Sequence, residues 1–359
     1  MELQEQQEQL QQLELDSLFT AIEQSVQQEV PGISISQIFE SLLNGTFEFD
    51  ILTLLTQMLQ PLYGEMAVQC TFLGQMILLA VLYTLLRQLS ENFSGSMHDL
   101  CGLMMRAIAI LLLLQSAGAV FAYGQEALLR LAELMQLFLP VQLTLMTILG
   151  NVQTAGLLEP SLMLIVQVAV WCFHRILLPI ITFEFILKLV NSFHDTFKLN
   201  RLAAFFRKLT LTGIAFSTML FLAVLSIQGI GGHILDSVSL RTVKYLAGTA
   251  IPVVGGTLSG LVETFMSGAL MIKSAVGLIG LLAVIVLTVL PALKILLIYF
   301  MYSFTAAVLE PVGDDCITAL LEQTAGSFVL LFAIVALTGV FFFFMILIVL
   351  AAGGAVLAG

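Results

Sequence analysis

The sequence predicts an all-α, polytopic transmembrane helical protein with an N-terminal extracytoplasmic amphipathic helical region. Three observations lead there. The 359 residues are 59% hydrophobic and only 10% charged, with a mean hydropathy of +1.04, whereas a soluble domain carries about 25% charged residues. Several apolar runs reach the ~20 residues that span a ~30 Å hydrocarbon core. Acid is concentrated at the front: residues 1–65 hold eleven Asp/Glu and no Lys or Arg. The net charge of −11 also excludes a nucleic-acid partner, because phosphate binding needs a basic surface. Membrane lipid is the expected surrounding.

Residues 1–65 read as helices lying outside the bilayer. Leu15, Leu18, Phe19, Ile22 and Val26 fall on one helical face, and Pro31-Gly32 stops it. Ser34 with Gln37 three residues on reads as a capping box. It opens a second helix with Ile35, Ile38, Phe39, Leu42 and Leu43 on one side, ended by Asn44-Gly45. A third begins near Asp50, aligns Ile51, Leu54, Leu55, Met58 and Leu59, and is expected to stop before Pro61. No basic, apolar leader follows Met1-Glu2. An exported acidic region therefore implies a chain starting at or near a cleaved form, or at a displaced start.

Residues 66–359 form the membrane domain, with about 6–8 membrane segments. Segments 66–86, 103–121, 209–230, 276–299 and 328–350 qualify as spans with few or no internal charges. Two stretches admit alternatives. Residues 127–149 carry Arg130, Glu133 and a central Pro140, and are expected to lie in the interface, to re-enter or to cross. Residues 161–190, with His174-Arg175 in the middle, make either one long tilted helix or two short segments. The loop 191–208 holds Lys198, Arg201, Arg207 and Lys208 against Asp195, so the positive-inside rule makes it cytoplasmic and the N-terminal region extracytoplasmic.

Enzyme signatures fail. His98, His174, His194 and His233 form no His-Glu-x-x-His site, and no Gly-x-x-x-x-Gly-Lys-Ser/Thr loop cradles phosphate. Ser259-Gly260 lacks a following His base, and Gly313-Asp314 lacks a partner Asp in a neighbouring span. The four cysteines are scattered and read as small hydrophobes. No catalytic residue, metal or cofactor is expected.

Charges inside apolar segments are the better leads, since a central Lys or Arg costs about 2.5–3.5 kcal/mol on insertion scales. His174, Arg175, Glu184 and Lys188 share one stretch, and Glu184 with Lys188 is a favourable i,i+4 pair. They line a pathway or serve helix-to-helix assembly. Arg175 is expected to pair within the bundle, with Glu184 of a neighbouring copy or an acid of another subunit as partners. Lys294 after Pro291 is placed at a kink or hairpin turn. Pro252, Gly255, Gly256 and Gly260 lie in an interrupted segment near 245–272, read as either a re-entrant element or an interfacial helix. There Gly256 and Gly260 allow close helix approach. Pro311, Gly313 and Asp314 close the last break.

The ordered series Lys244-Tyr245, Ile251-Pro252-Val253-Val254-Gly255, Lys273-x-x-Val276-Gly277, Pro291-Ala292-Leu293-Lys294 and Pro311-Val312-Gly313-Asp314 resembles the stage III sporulation protein AE family of endospore-forming Firmicutes. Glu310 stands where Gln is common in that family. The resemblance implies a multi-pass protein of the mother-cell membrane around the forespore. It implies partners too: other subunits of the stage III sporulation complex, among them a secretion-type ATPase and ring-forming proteins, and a forespore membrane partner. The implied role is a subunit of a transenvelope channel or secretion-like complex. An independent small-molecule permease should show twofold internal repetition, and none is seen. A purely structural membrane scaffold is the third reading.

Overall fold

The computed structural model describes residues 17–31, 34–43, 51–90, 95–149, 152–193, 199–231, 255–312 and 315–354. Among them every regular element is helical. They are α1 (residues 17–29), α2 (Ile35–Leu43), α3 (Ile51–Ser90), α4 (Gly95–Ile148) and α5 (Val152–Val170). A π-helical turn (Trp171–Leu177) joins α5 to α6 (Leu178–Phe193), followed by α7 (Asn200–Gly231) and α8 (Gly255–Leu309). A 3₁₀ turn (Glu310–Val312) leads into α9 (Asp315–Gly354). Helix is the expected outcome, because hydrocarbon offers backbone groups no partner and a helix satisfies them within the segment. Hydroxyls follow the same logic: Thr144, Thr182, Thr305, Thr324 and Thr338 each donate back to the carbonyl four residues earlier.

Among the described residues six stretches are long and apolar enough to cross a membrane: Leu62–Leu86, Gly102–Ile148, Pro160–Phe193, Asn200–Ala223, Leu270–Leu309 and Cys316–Ala351. This is a multi-pass, all-α membrane protein. The hairpin of α8 and α9 forms its centre. Helix α4 packs on both, α3 and α5 flank α4, and α7 packs mainly on α6. Small residues bring these rods together. A Cβ on Gly124 would stand 2.7 Å from Leu331 Cδ1, and one on Gly280 or Gly339 would collide with Phe138 or Thr288.

Several expectations need correction. Residues 127–148 form no separate segment; they continue α4 through Pro140. Contacts with α5, α8 and α9 hold the rod past the hydrogen bond that Pro140 lacks. Pro61 likewise lies inside α3, which crosses the expected domain boundary at 65 unbroken. Pro291 is buried within α8, so Lys294 sits on a continuing helix and not at a hairpin turn. The 161–190 alternatives resolve to one rod carrying a π-helical turn, in which the Leu178 N–H reaches back to the Phe173 carbonyl. Gly255, Gly256 and Gly260 begin α8 as regular helix, so no break is seen from 255 onward. Pro252, Gly313 and Asp314 lie outside the described residues, and Pro311 forms part of the 3₁₀ turn.

The N-terminal helix does not stand apart. Leu18, Ile22, Val26 and Val30 are buried in the same hydrophobic core as α4, α8 and α9. One half of the expected capping box is seen, with the Gln37 N–H donating to Ser34 Oγ at 3.5 Å. Phe19 packs on Phe39 with ring centroids 4.6 Å apart, which ties α1 to α2.

Candidate functional site

Among the described residues four polar assemblies interrupt this apolar packing. The first is built on Glu29, the last residue of α1. Its position follows from periodicity: three residues beyond Val26, it falls on the buried face and is 5% exposed. Its carboxylate accepts from Arg130 Nη1 at 2.8 Å, from Tyr123 Oη at 3.0 Å and from Lys294 Nζ at 3.3 Å. Arg130 also pairs with Glu126 one turn earlier on α4. Lys294 Nζ lies 4.7 Å from the centre of the Tyr123 ring, within cation–π range. One carboxylate from the N-terminal helix thus joins two cations on two membrane-crossing helices. A charge taken from water is tolerable only when paired and hydrogen-bonded in this way.

The second assembly is centred on Glu184 of α6, which is fully buried. It pairs with Lys188 one turn on, as its spacing predicted. Arg207 of α7 stands 3.8 Å away, close to the backbone of Gly326 in α9. The group therefore stitches α6 to α7 where both meet α9.

The third holds Lys273. Its ammonium donates to the Val349 carbonyl at 2.9 Å and the Leu350 carbonyl at 3.4 Å, near the end of α9, while its own carbonyl accepts from Gln142 Nε2 at 3.2 Å. This fastens α4, α8 and α9 together. Nearer the opposite end of α8, Tyr302 donates to Ser116 at 2.6 Å, and Ser116 donates to Gln69 at 3.3 Å, linking α3, α4 and α8.

The residues singled out in the sequence are therefore divided. Glu184 and Lys188 come together, and Lys294 joins a cluster of its own. His174 and Arg175 join neither: His174 is half-buried, with no partner for Nε2 among the described residues. Arg175 faces outward and, among the described residues, takes part in no ion pair. The partner expected for Arg175, an acid of another copy or of another subunit, lies outside a single chain. Buried Glu184 is no partner for another copy. Sequence reasoning missed Glu29 and Tyr123. The readable signal for Glu29 was a carboxylate on the apolar stripe of a helix in a chain with lone cations elsewhere.

Comparison with known proteins gives one family match. The family described as Stage III sporulation protein AE (spore_III_AE) matches residues 33–353. The chain is similar to Stage III sporulation protein AE of Bacillus subtilis (strain 168), with 26% identity over 299 residues, 83% of this chain and 75% of that protein. No solved structure matches it.

Proposed function

This chain belongs to the stage III sporulation protein AE family, which carries a role in sporulation, and from that premise we propose a more specific role. It is a membrane subunit of the transenvelope channel or secretion-like complex that joins mother cell and forespore. The observation that carries the reading is the family match over residues 33–353, which takes in all six candidate spans. Its partners are other subunits of that complex, including a secretion-type ATPase and ring-forming proteins, and a forespore membrane protein. The chain contributes the membrane platform and no chemistry of its own; no enzymatic role is proposed. Pathway or assembly roles fall to Glu184 and Lys188 inside the bundle, and to Lys294 with the N-terminal helix. Affinity purification of the chain from sporulating cells is expected to bring the ATPase and ring-forming subunits with it. Recovery of the chain alone, from cells that make those subunits, would overturn the reading.

The acidic N-terminal region belongs on the extracytoplasmic side of the mother-cell membrane. Supporting this, three candidate spans separate α1 from Asn200, an odd number that puts them on opposite sides. Lys198, Arg201, Arg207 and Lys208 then mark the cytoplasmic end. Gln28 and Asn200 are both exposed. Single cysteines at these positions, in a chain without native Cys, are expected to react oppositely with an impermeant maleimide applied from outside. Labelling at Asn200→Cys, with Gln28→Cys protected, would reverse the topology.

A further inference from the structure

Arg175 is an exposed cation in the middle of an apolar span. It lies 15 residues from the start and 18 from the end of the apolar span Pro160–Phe193, exposed, with no ion pair among the described residues. A guanidinium facing hydrocarbon there costs several kcal/mol unless an acid meets it. Its neighbours Trp171, Cys172 and Ile176 in the π-helical turn line a groove of about 520 Å³ between the α5–α6 rod and α7. The groove is lined almost wholly by apolar side chains, including Val168, Trp171, Ile180, Phe216 and Leu220. Trp171, the single Trp of the chain, is 59% exposed at this site.

An acid that matches it is on the same chain. Glu133 of α4 is exposed and has no ion pair among the described residues. It belongs to a stripe with Leu129 and Leu137, which are 37% and 43% exposed. Glu133 and Arg175 stand at similar distances from one shared contact. The rings of Phe121 on α4 and Phe185 on α6 meet with centroids 5.4 Å apart, and α4 and the α5–α6 rod run in opposite directions. Glu133 comes twelve residues after Phe121 and Arg175 ten before Phe185. At 1.5 Å per residue both stand about 15–18 Å along the bundle from that shared contact.

We propose that a second copy of this chain occupies the groove: the Leu129–Glu133–Leu137 stripe of one copy seats against the π-helical turn and α7 of the next, with Glu133 on Arg175. The two patches are different surfaces of one molecule, so the contact is head-to-tail and repeats from copy to copy, closing into a ring or running on as a chain. It satisfies both charges at once and covers the groove with a matching apolar ridge. The inference rests on the multi-pass reading of the chain and is independent of what the sporulation complex carries.

The test uses the full-length chain in native membranes with its four native cysteines replaced by serine. Glu133→Cys and Arg175→Cys in one molecule, treated with a short bifunctional maleimide, are expected to give a ladder of dimers, trimers and larger species, and either cysteine alone to give none. Arg175→Glu alone should cut the oligomer fraction of the uncrosslinked protein by about tenfold or more, since like charges then face each other. Joining it with Glu133→Arg should restore the fraction. Both residues are exposed, so folding is not at issue. A monomer-only pattern would overturn the proposal. So would dimers from Arg175→Cys alone, which mean a symmetric contact, or capture of a different protein at that position.

Discussion

Glu29→Ala is expected to lower the stability of the purified protein by about 3–5 kcal/mol, the cost of leaving a buried charge without its partner. The substitution strands two cations at once, because Arg130 and Lys294 both donate to this carboxylate. Arg130 keeps Glu126, whereas Lys294 keeps only the face of the Tyr123 ring among the interactions described. The larger part of the loss should therefore come from Lys294. Adding Lys294→Leu to Glu29→Ala is expected to recover a good part of the stability, since an apolar residue there removes the stranded charge. Thermal unfolding in a fixed detergent measures both. Exposed Glu40 is the control, and Glu40→Ala should stay within about 0.5 kcal/mol. A Glu29→Ala protein as stable as that control would mean that α1 is held by its apolar face alone. The cluster would then carry no energy worth assigning to it.

The membrane class and most of the spans were legible because hydrophobic length is a local property. The Glu184–Lys188 pair was legible for the same reason: both partners sit on one helix, one turn apart. What escaped was non-local. Pro140, Pro61 and Pro291 read as breaks, since a proline taken by itself removes a helical hydrogen bond; neighbouring helices carry α4 and α8 past it. Glycines at 256 and 260 drew notice through their spacing. The surroundings of those two lie outside the described residues; close approach is seen at Gly124, Gly280 and Gly339, whose neighbours Leu331, Phe138 and Thr288 come from distant sequence. Glu29 meets Lys294 across 265 residues. No window along the sequence contains that pair. Arg175 lies two positions from each of the buried residues Phe173 and Leu177, so it leaves the rod on the other side.

Glu184 separates architecture from passage more sharply than any other position. Glu184→Leu alone should cost about 3–5 kcal/mol, because Lys188 is then left 13% exposed with its partner gone. Arg207 is 44% exposed and has water or headgroups to turn to, so it adds less. The double change Glu184→Leu with Lys188→Leu removes both members of the pair. Replacing a buried ion pair by apolar residues of similar volume is often neutral or stabilising by about 1–4 kcal/mol. The doubly substituted protein is thus expected to accumulate and melt like the wild type. Spore formation then decides what the pair does. If it only fastens α6 to α7, heat-resistant spores form at the normal frequency, and the pathway role assigned to these two residues is wrong. If it lines a polar route or positions a partner subunit, sporulation falls by about tenfold or more while the protein stays folded, because a contact worth 1.4 kcal/mol or more to assembly has been lost. Glu184→Gln sharpens the distinction. It keeps the shape and loses the charge, so in a purely structural pair it strands Lys188 and destabilises. A Glu184→Gln protein that is unstable while the Leu/Leu protein is stable and sporulates would place the charge in the service of packing alone.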